Sequence, residues 1–254
     1  MEEVTFEDKD GNKYVGSLLV PKNASTVVII VPGFSSNKNK PKHVEFEKKF
    51  NEFGLGTLRV DLYGHGDLYC KNIVYGVTKD ITLTKTVDSL KAAIEFVRSK
   101  GNFGVALFGS SFGGLVSFIV ASTDSDIRAL ALKSPVCEPI SFWKDRVGEE
   151  GLAKWKEEGI LHYGDKGELF DLDYAFWKDL QKYDTFKLAK TITCPVLIVH
   201  GGSDTVVPIE QSQELAKIVN TKVRVVEGAN HGYKEPEQHN EMKKLIVDFI
   251  VEKL

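Results

Sequence analysis

Val105-Ala106-Leu107-Phe108-Gly109-Ser110-Ser111-Phe112-Gly113-Gly114 is the stretch that decides the fold. A strand-length apolar run ends in a glycine-framed serine, and an apolar helix pattern, Phe112–Ala121, follows at once. Gly109-Ser110-Ser111-Phe112-Gly113 therefore reads as G-x-S-x-G in the strand–turn–helix setting that this motif requires. A serine on so tight a turn leaves no room for side chains two residues before or after it, and Gly109 and Gly113 carry none. Ser111 Oγ would stand clear of the backbone, with the positive end of the helix dipole behind it. The amide of Phe112 could then point at a developing oxyanion. The plainer reading is a glycine-rich turn that packs a helix on a strand; the flanking elements favour the nucleophile. Ser110 is the rival serine, but the glycine frame centres on Ser111.

Outward from this turn the chain alternates. Val27–Val31, Leu55–Val60, Ile127–Leu132, Pro195–Val199 and Val223–Val226 are apolar, β-branched runs without period-two alternation, as suits parallel strands buried on both faces. Between them His43–Phe53, Thr84–Arg98, Ile209–Val219 and Gln238–Val251 place apolar residues at helical spacing. Near the N-terminus Thr5–Glu7 and Lys13–Val20 flank Asp10-Gly11-Asn12, a hairpin signal. Strand–helix–strand alternation predicts an α/β fold, a mostly parallel twisted sheet with helices on both faces.

The alternation breaks between residues 135 and 190. All three tryptophans (Trp143, Trp155, Trp177) fall there, with Phe142, Phe170, Phe176, Tyr163, Tyr174 and Tyr183 among many charges. The expected organisation is a core of residues 1–134 and 191–254 with a helical insertion at 135–190. The insertion's aromatics build a small core of their own or line a substrate pocket beneath a lid; both can hold together.

Composition narrows the function classes. The 254 residues carry 33 Lys+Arg against 36 Asp+Glu, a net charge of −3, which offers no field for steering toward nucleic acid or an anionic membrane. No apolar run approaches the roughly 20 residues of a membrane span, and Met1-Glu2-Glu3 is acidic where a signal peptide is basic. Cys70, Cys137 and Cys194 are odd in number and far apart, which argues against a disulfide framework or a zinc site. The expectation is a cytoplasmic protein without metal or cofactor. Its oligomeric state, a homodimer included, stays open.

On the serine turn and its setting, the chain resembles an α/β-hydrolase over nearly its whole length. It is similar to small serine esterases with a helical lid, among them bacterial cinnamoyl/feruloyl esterases and monoacylglycerol lipases. That fold orders its triad nucleophile, acid, base. Pro195–Val199 runs into His200-Gly201-Gly202-Ser203-Asp204, which matches the family's acid-bearing loop, so the resemblance assigns the acid to Asp204. The competing reading of Asp204 is a cap for the helix near Pro208. Gly228-Ala229-Asn230-His231-Gly232 follows the last strand and makes His231 the base. His239 belongs to the charged start of the final helix, His200 is expected to point along its strand end, and His43, His65 and His162 precede the acid.

In the similar esterases the loop after the first central strand reads His-Gly-Phe or His-Gly-Gly, and the residue after the glycine donates to the oxyanion. Val31-Pro32-Gly33-Phe34 matches, with Pro32 in place of histidine, so Phe34 pairs with Phe112 as oxyanion donors. Asp61-Leu62-Tyr63-Gly64-His65-Gly66-Asp67 resembles the family's D-x-x-G-x-G-x-S turn, with Asp67 for serine; Asp61 is expected to hold that loop by local hydrogen bonds. The implied activity is hydrolysis of short- to medium-chain or aromatic-acyl carboxylic esters through Ser111, Asp204 and His231. Monoacylglycerol lipase, thioesterase and peptidase chemistry share the machinery. A rival of another class is a small-molecule sensor on a hydrolase scaffold with slow turnover. Dehalogenation is disfavoured because it needs an aspartate at position 111.

Overall fold

The computed structural model describes residues 1–66, 78–165 and 168–254. Asp67 and Cys70, and the side chain of Phe170, lie outside the described residues. Strands β1 (Glu2–Glu7) and β2 (Lys13–Leu19) form the expected antiparallel hairpin. The central strands are β3 (Thr26–Val31), β4 (Gly56–Val60), β5 (Gly104–Ser110), β6 (Ile127–Lys133), β9 (Val196–Gly201) and β10 (Val223–Val226). One eight-stranded sheet runs in the order β1-β2-β4-β3-β5-β6-β9-β10, with β2 antiparallel to β4 and every later pairing parallel. The reversal of strand order around β3 and β5 leaves a crevice at their carboxyl ends, where open α/β sheets bind ligands.

Helices α1 (Pro41–Glu52) and α8 (Pro236–Lys253) cover one face; α2 (Leu83–Lys100) and α3 (Phe112–Ala121) cover the other. Alternate residues of β3 serve both cores. Val27, Ile29 and Val31 pack with α2 and α3, whereas Val28 and Ile30 pack with Phe46, Phe50, Met242 and Ile246. This is the physical content of a strand that is apolar at every position. The edge strand β10 departs from the expectation of full burial: Arg224 and Val225 are exposed, because an edge strand has a neighbour on one side alone.

The segment after β6 holds α4 (Pro139–Glu158), α5 (Tyr174–Leu180) and α6 (Thr185–Ala189), but also an antiparallel pair, β7 (Ile160–Asp165) and β8 (Glu168–Asp173). The insertion is therefore helical only in part. Its strands mix aspartate and glutamate with histidine, glycine, leucine and aromatic residues, so no β-branched run marks them. Helix α7 (Ile209–Ile218) follows β9.

Two ion pairs are buried near the carboxyl end of β4. Arg59 meets Glu47 of α1 at 2.8 Å and also donates to Lys38 O, and Lys38 Nζ meets Asp61 at 3.1 Å. Removing one partner of a buried pair strands the other charge at a cost of about 3–5 kcal/mol. Glu47→Ala should therefore lower unfolding stability by about that amount, and Glu47→Gln, which keeps a hydrogen-bond acceptor, by less; urea denaturation at pH 7 measures both.

Candidate active site

Strand β5 ends at Ser110, α3 begins at Phe112, and Ser111 between them has φ 56° and ψ −118°. A non-glycine residue in that region is strained by about 1–3 kcal/mol. The neighbourhood enforces it. A Cβ on Gly109 would lie 2.5 Å from both Gly113 O and Ser117 Oγ, and one on Gly113 would lie 2.2 Å from Pro32 O. The amide of Ser111 donates to Lys133 O on β6 at 2.9 Å, and its carbonyl accepts from Gly114 at 2.9 Å and Val136 at 3.2 Å.

The structure brings Ser111, His231 and Asp204 into one hydrogen-bonded line. Ser111 Oγ is 3.0 Å from His231 Nε2, and His231 Nδ1 is 2.7 Å from Asp204 Oδ2. A carboxylate accepts only, so Nδ1–H donates to Asp204 and Nε2 is free to accept from the serine hydroxyl. Asp204 does more than face the histidine. Its Oδ1 accepts the amides of Val206 and Val207 at 2.9 and 3.0 Å in the loop before α7, whose N-cap is Pro208 without a side-chain cap bond, so Asp204 braces its own loop and does not cap that helix.

His200 was expected to point along the strand end, and the structure corrects this. Its fully buried ring lies 3.4 Å from Asp204 Oδ2 through Nε2, which also reaches Val207 O at 3.0 Å; Nδ1 lies 2.7 Å from Ser212 Oγ. Burial alone would raise the Asp204 pKa, but hydrogen bonds from His200 and His231 outweigh it and hold the carboxyl well below the usual carboxylate range. The only local sign of this role was a histidine at the end of a buried strand, four residues before the acid.

The loop after β3 passes over the serine. A Cβ on Gly33 would sit 3.3 Å from Ser111 Cβ, and the Phe34 ring meets that of Phe112 edge-on at 5.3 Å. The amide of Phe112 is at the first helical position, where no residue of its helix can accept its hydrogen. Asp61 acts over a longer range than the local bonding expected of it. It accepts the amide of Lys38, 23 residues earlier, at 2.7 Å as well as the Lys38 ammonium. That contact clamps the Phe34 loop to the end of β4. The aromatic residues of the insertion close over the same point, with Trp143, Tyr163 and Phe176 centred 5.4, 5.9 and 6.2 Å from the Phe34 ring.

Of the remaining histidines, His65 is buried against the Phe34 and Phe112 rings at 4.9 and 6.0 Å and contacts Tyr63 O. Among the described residues the others make no contact with the three: His43 contacts Asn37 O, His162 pairs with Asp171, and His239 pairs with Glu45 across α1 and α8. Among the described residues no group of three or more His, Cys, Asp or Glu is placed to hold a metal ion.

Burial lowers the His231 pKa from its ordinary 6.5, and the hydrogen bond to Asp204 opposes that shift. The imidazole should therefore titrate below pH 6.5 when followed by NMR. In Asp204→Asn the opposing contribution is lost, and the midpoint should fall further.

A family model described as the prolyl oligopeptidase family matches residues 76–254. The bovine protein described as mitochondrial palmitoyl-protein thioesterase ABHD10 is 22% identical over 248 residues, covering 92% of this chain and 75% of its own. Est1E from Butyrivibrio proteoclasticus, solved with ferulic acid bound, superposes with a TM-score of 0.82 at 28% identity, covering 98% of this chain and 99% of its own. Mouse alpha/beta hydrolase domain-containing protein 10 gives 0.81 at 21% identity and 99% of each chain. No helix among the described residues is long and apolar enough to cross a membrane. With its parallel sheet, its strained serine turn and a family match over most of its length, the chain belongs to the prolyl oligopeptidase family of α/β-hydrolases.

Proposed function

We propose that the protein hydrolyses carboxylic esters with short- to medium-chain or aromatic acyl groups, through an acyl-enzyme formed on Ser111. The observation that carries this reading is the line Ser111 Oγ–His231–Asp204, with contacts of 3.0 and 2.7 Å, at a serine whose φ is 56°. His231 Nε2 takes the hydroxyl proton as Ser111 Oγ attacks the acyl carbon, then returns it to the departing alcohol. Asp204 keeps Nδ1 protonated and stabilises the imidazolium; His200, Val206 and Val207 hold Asp204 in place. The amides of Phe34 and Phe112 receive the developing oxyanion, each such donor contributing about 10²–10³ in rate. Water repeats the sequence in reverse to release the acid.

The acyl group rests against Phe34 and Tyr163, which the buried Trp143 and Phe176 back, and residues 135–190 serve as the lid. The roots of that insertion favour a hinged cover over a loose flap. Gln211 Oε1 accepts the amides of Cys137 and Glu138, and Asp179 accepts from Thr84 of α2. The likeness to Est1E with ferulic acid supports an aromatic acyl group. The thioesterase relatives support a second reading, in which a thioester enters the same site.

Ser111→Ala should lower hydrolysis of p-nitrophenyl butyrate by roughly 10⁴-fold or more, with the fold intact by circular dichroism. Residual activity above a few per cent would remove Ser111 from its role. Asp204→Asn should cost about 10⁴ in kcat. Because His231 must be neutral to act and its pKa lies below 6.5, the acid limb of kcat/KM should have its midpoint below pH 6.5. Methyl ferulate and palmitoyl-CoA, compared at equal enzyme concentration, separate the ester from the thioester reading.

A further inference from the structure

A second cleft of about 400 Å³ lies on the α1–α8 side of the serine turn, within the size range of small-molecule sites. Its apolar floor is formed by the edges of Phe46, Phe108 and Met242, each 2% exposed or less and with the first two rings 4.4 Å apart, and the exposed Pro41 stands at its rim. Its polar side chains are Lys133, Lys40, Lys42, His43 and two serines, and no carboxylate lines it. The ammonium of Lys133 lies 3.2 Å from Ser110 Oγ and 5.2 Å from the centre of the Tyr233 ring. Among the described residues no carboxylate oxygen comes within 4.0 Å of it. Lys42, at the rim, donates to the carbonyls of Gly232 and Tyr233.

This is a cationic centre set against an apolar floor. A half-buried charge without a counter-charge gives up part of its hydration, and a charge-assisted hydrogen bond with an entering anion offsets that cost. Inorganic anions would meet the ammonium but leave the apolar floor uncovered. We propose that the cleft binds a small apolar carboxylate, its head paired with Lys133 and its hydrocarbon part laid on Phe46, Phe108 and Met242. Such a ligand would also press on the candidate active site. Ser36, Ser110, Lys133 and Gly232 line the cleft, and each is the chain neighbour of a residue with positive φ, namely Ser35, Ser111, Ser134 and Tyr233.

The pH dependence has a defined sign. Burial pushes the Lys133 pKa down to about 8; the Asp204 charge opposes this and Lys42 adds to it. The groups facing it are Ser110 from β5, Lys42 and His43 from α1, and Tyr233, His231 and Asp204 from the loops after β9 and β10. His43 is pushed down to about 4 by burial and is neutral above pH 6. Binding requires the protonated amine, so affinity should hold from pH 6.5 to 7.5 and fall above pH 8.

Isothermal titration calorimetry at pH 7 with octanoate, benzoate, octan-1-ol and inorganic phosphate tests the proposal on wild type, Lys133→Met and Met242→Trp. Octanoate or benzoate should bind the wild type more tightly than either the alcohol or phosphate. Lys133→Met should weaken that binding by about tenfold or more, and Met242→Trp, which fills the apolar end without touching the amine, should weaken it too. Binding by neither carboxylate would overturn the proposal. So would equal binding of octan-1-ol or of phosphate, or an octanoate affinity indifferent to Met242→Trp, which would place the ligand elsewhere. Should either variant fail to fold in a thermal melt, the wild type alone decides the matter, through its preference for the carboxylates over octan-1-ol and phosphate and its loss of affinity above pH 8.

Discussion

The left-handed backbone at Ser111 is the constraint around which the rest of the molecule is arranged. A side chain at φ 56° is held there against a cost of about 1–3 kcal/mol, and only rigid surroundings keep it from relaxing. Those surroundings are the centre of the sheet. The Ser111 amide bonds β6, its carbonyl accepts from α3 and from Val136, and the glycines beside it touch backbone on either side. Among the described residues the other non-glycine positions with positive φ are Ser35, Ser134, Asn220 and Tyr233. All but Asn220 belong to loops that leave the carboxyl ends of sheet strands beside Ser111. Strain is thus concentrated where the candidate chemistry lies, and the buried strands β3, β5, β6 and β9 supply the stability that offsets it.

Electrostatics completes what strain begins. Asp204, Asp61, Arg59 and Lys38 are buried charges, and each is met by a partner from a distant part of the chain. Asp204 gathers two histidines and two amides; Asp61 gathers the amide and ammonium of Lys38. Such contacts are orientation devices more than stabilisers, since a well-packed apolar pair often does as well. Here one set fixes the acid under His231 and the other fixes the Phe34 loop above Ser111. Lys133 stands outside this pattern: among the described residues it forms no ion pair with a carboxylate, and its charge lines a cleft.

Much of this was legible in the residues. The hairpin at Asp10–Asn12, the central strands and the five long helices outside the insertion stand close to the positions that periodicity predicts. Unbroken apolar runs and 3.6-residue spacing are local consequences of burial. The strands β7 and β8 were not legible, because Ile160–Asp165 and Glu168–Asp173 mix charge, glycine and aromatic residues without a clear period. The exposure of β10 was not legible either: an edge strand and a central strand share the same apolar pattern until their neighbours are known. His200 looked like an ordinary strand-end residue until the turn at Gly201 brought Asp204 back against it.

By itself the sequence determined the α/β alternation, the serine turn and the order in which Ser111, Asp204 and His231 occur. Each of these is written in short-range spacing, where one residue constrains the next few. Only the tertiary structure decided that these three meet at hydrogen-bond distance, that His200 and Lys38 support the loops beside them, and that Lys133 opens on a cleft. Those facts depend on groups 12 to 120 residues apart in the chain. Their meeting is set by sheet order and loop path, which local spacing does not encode.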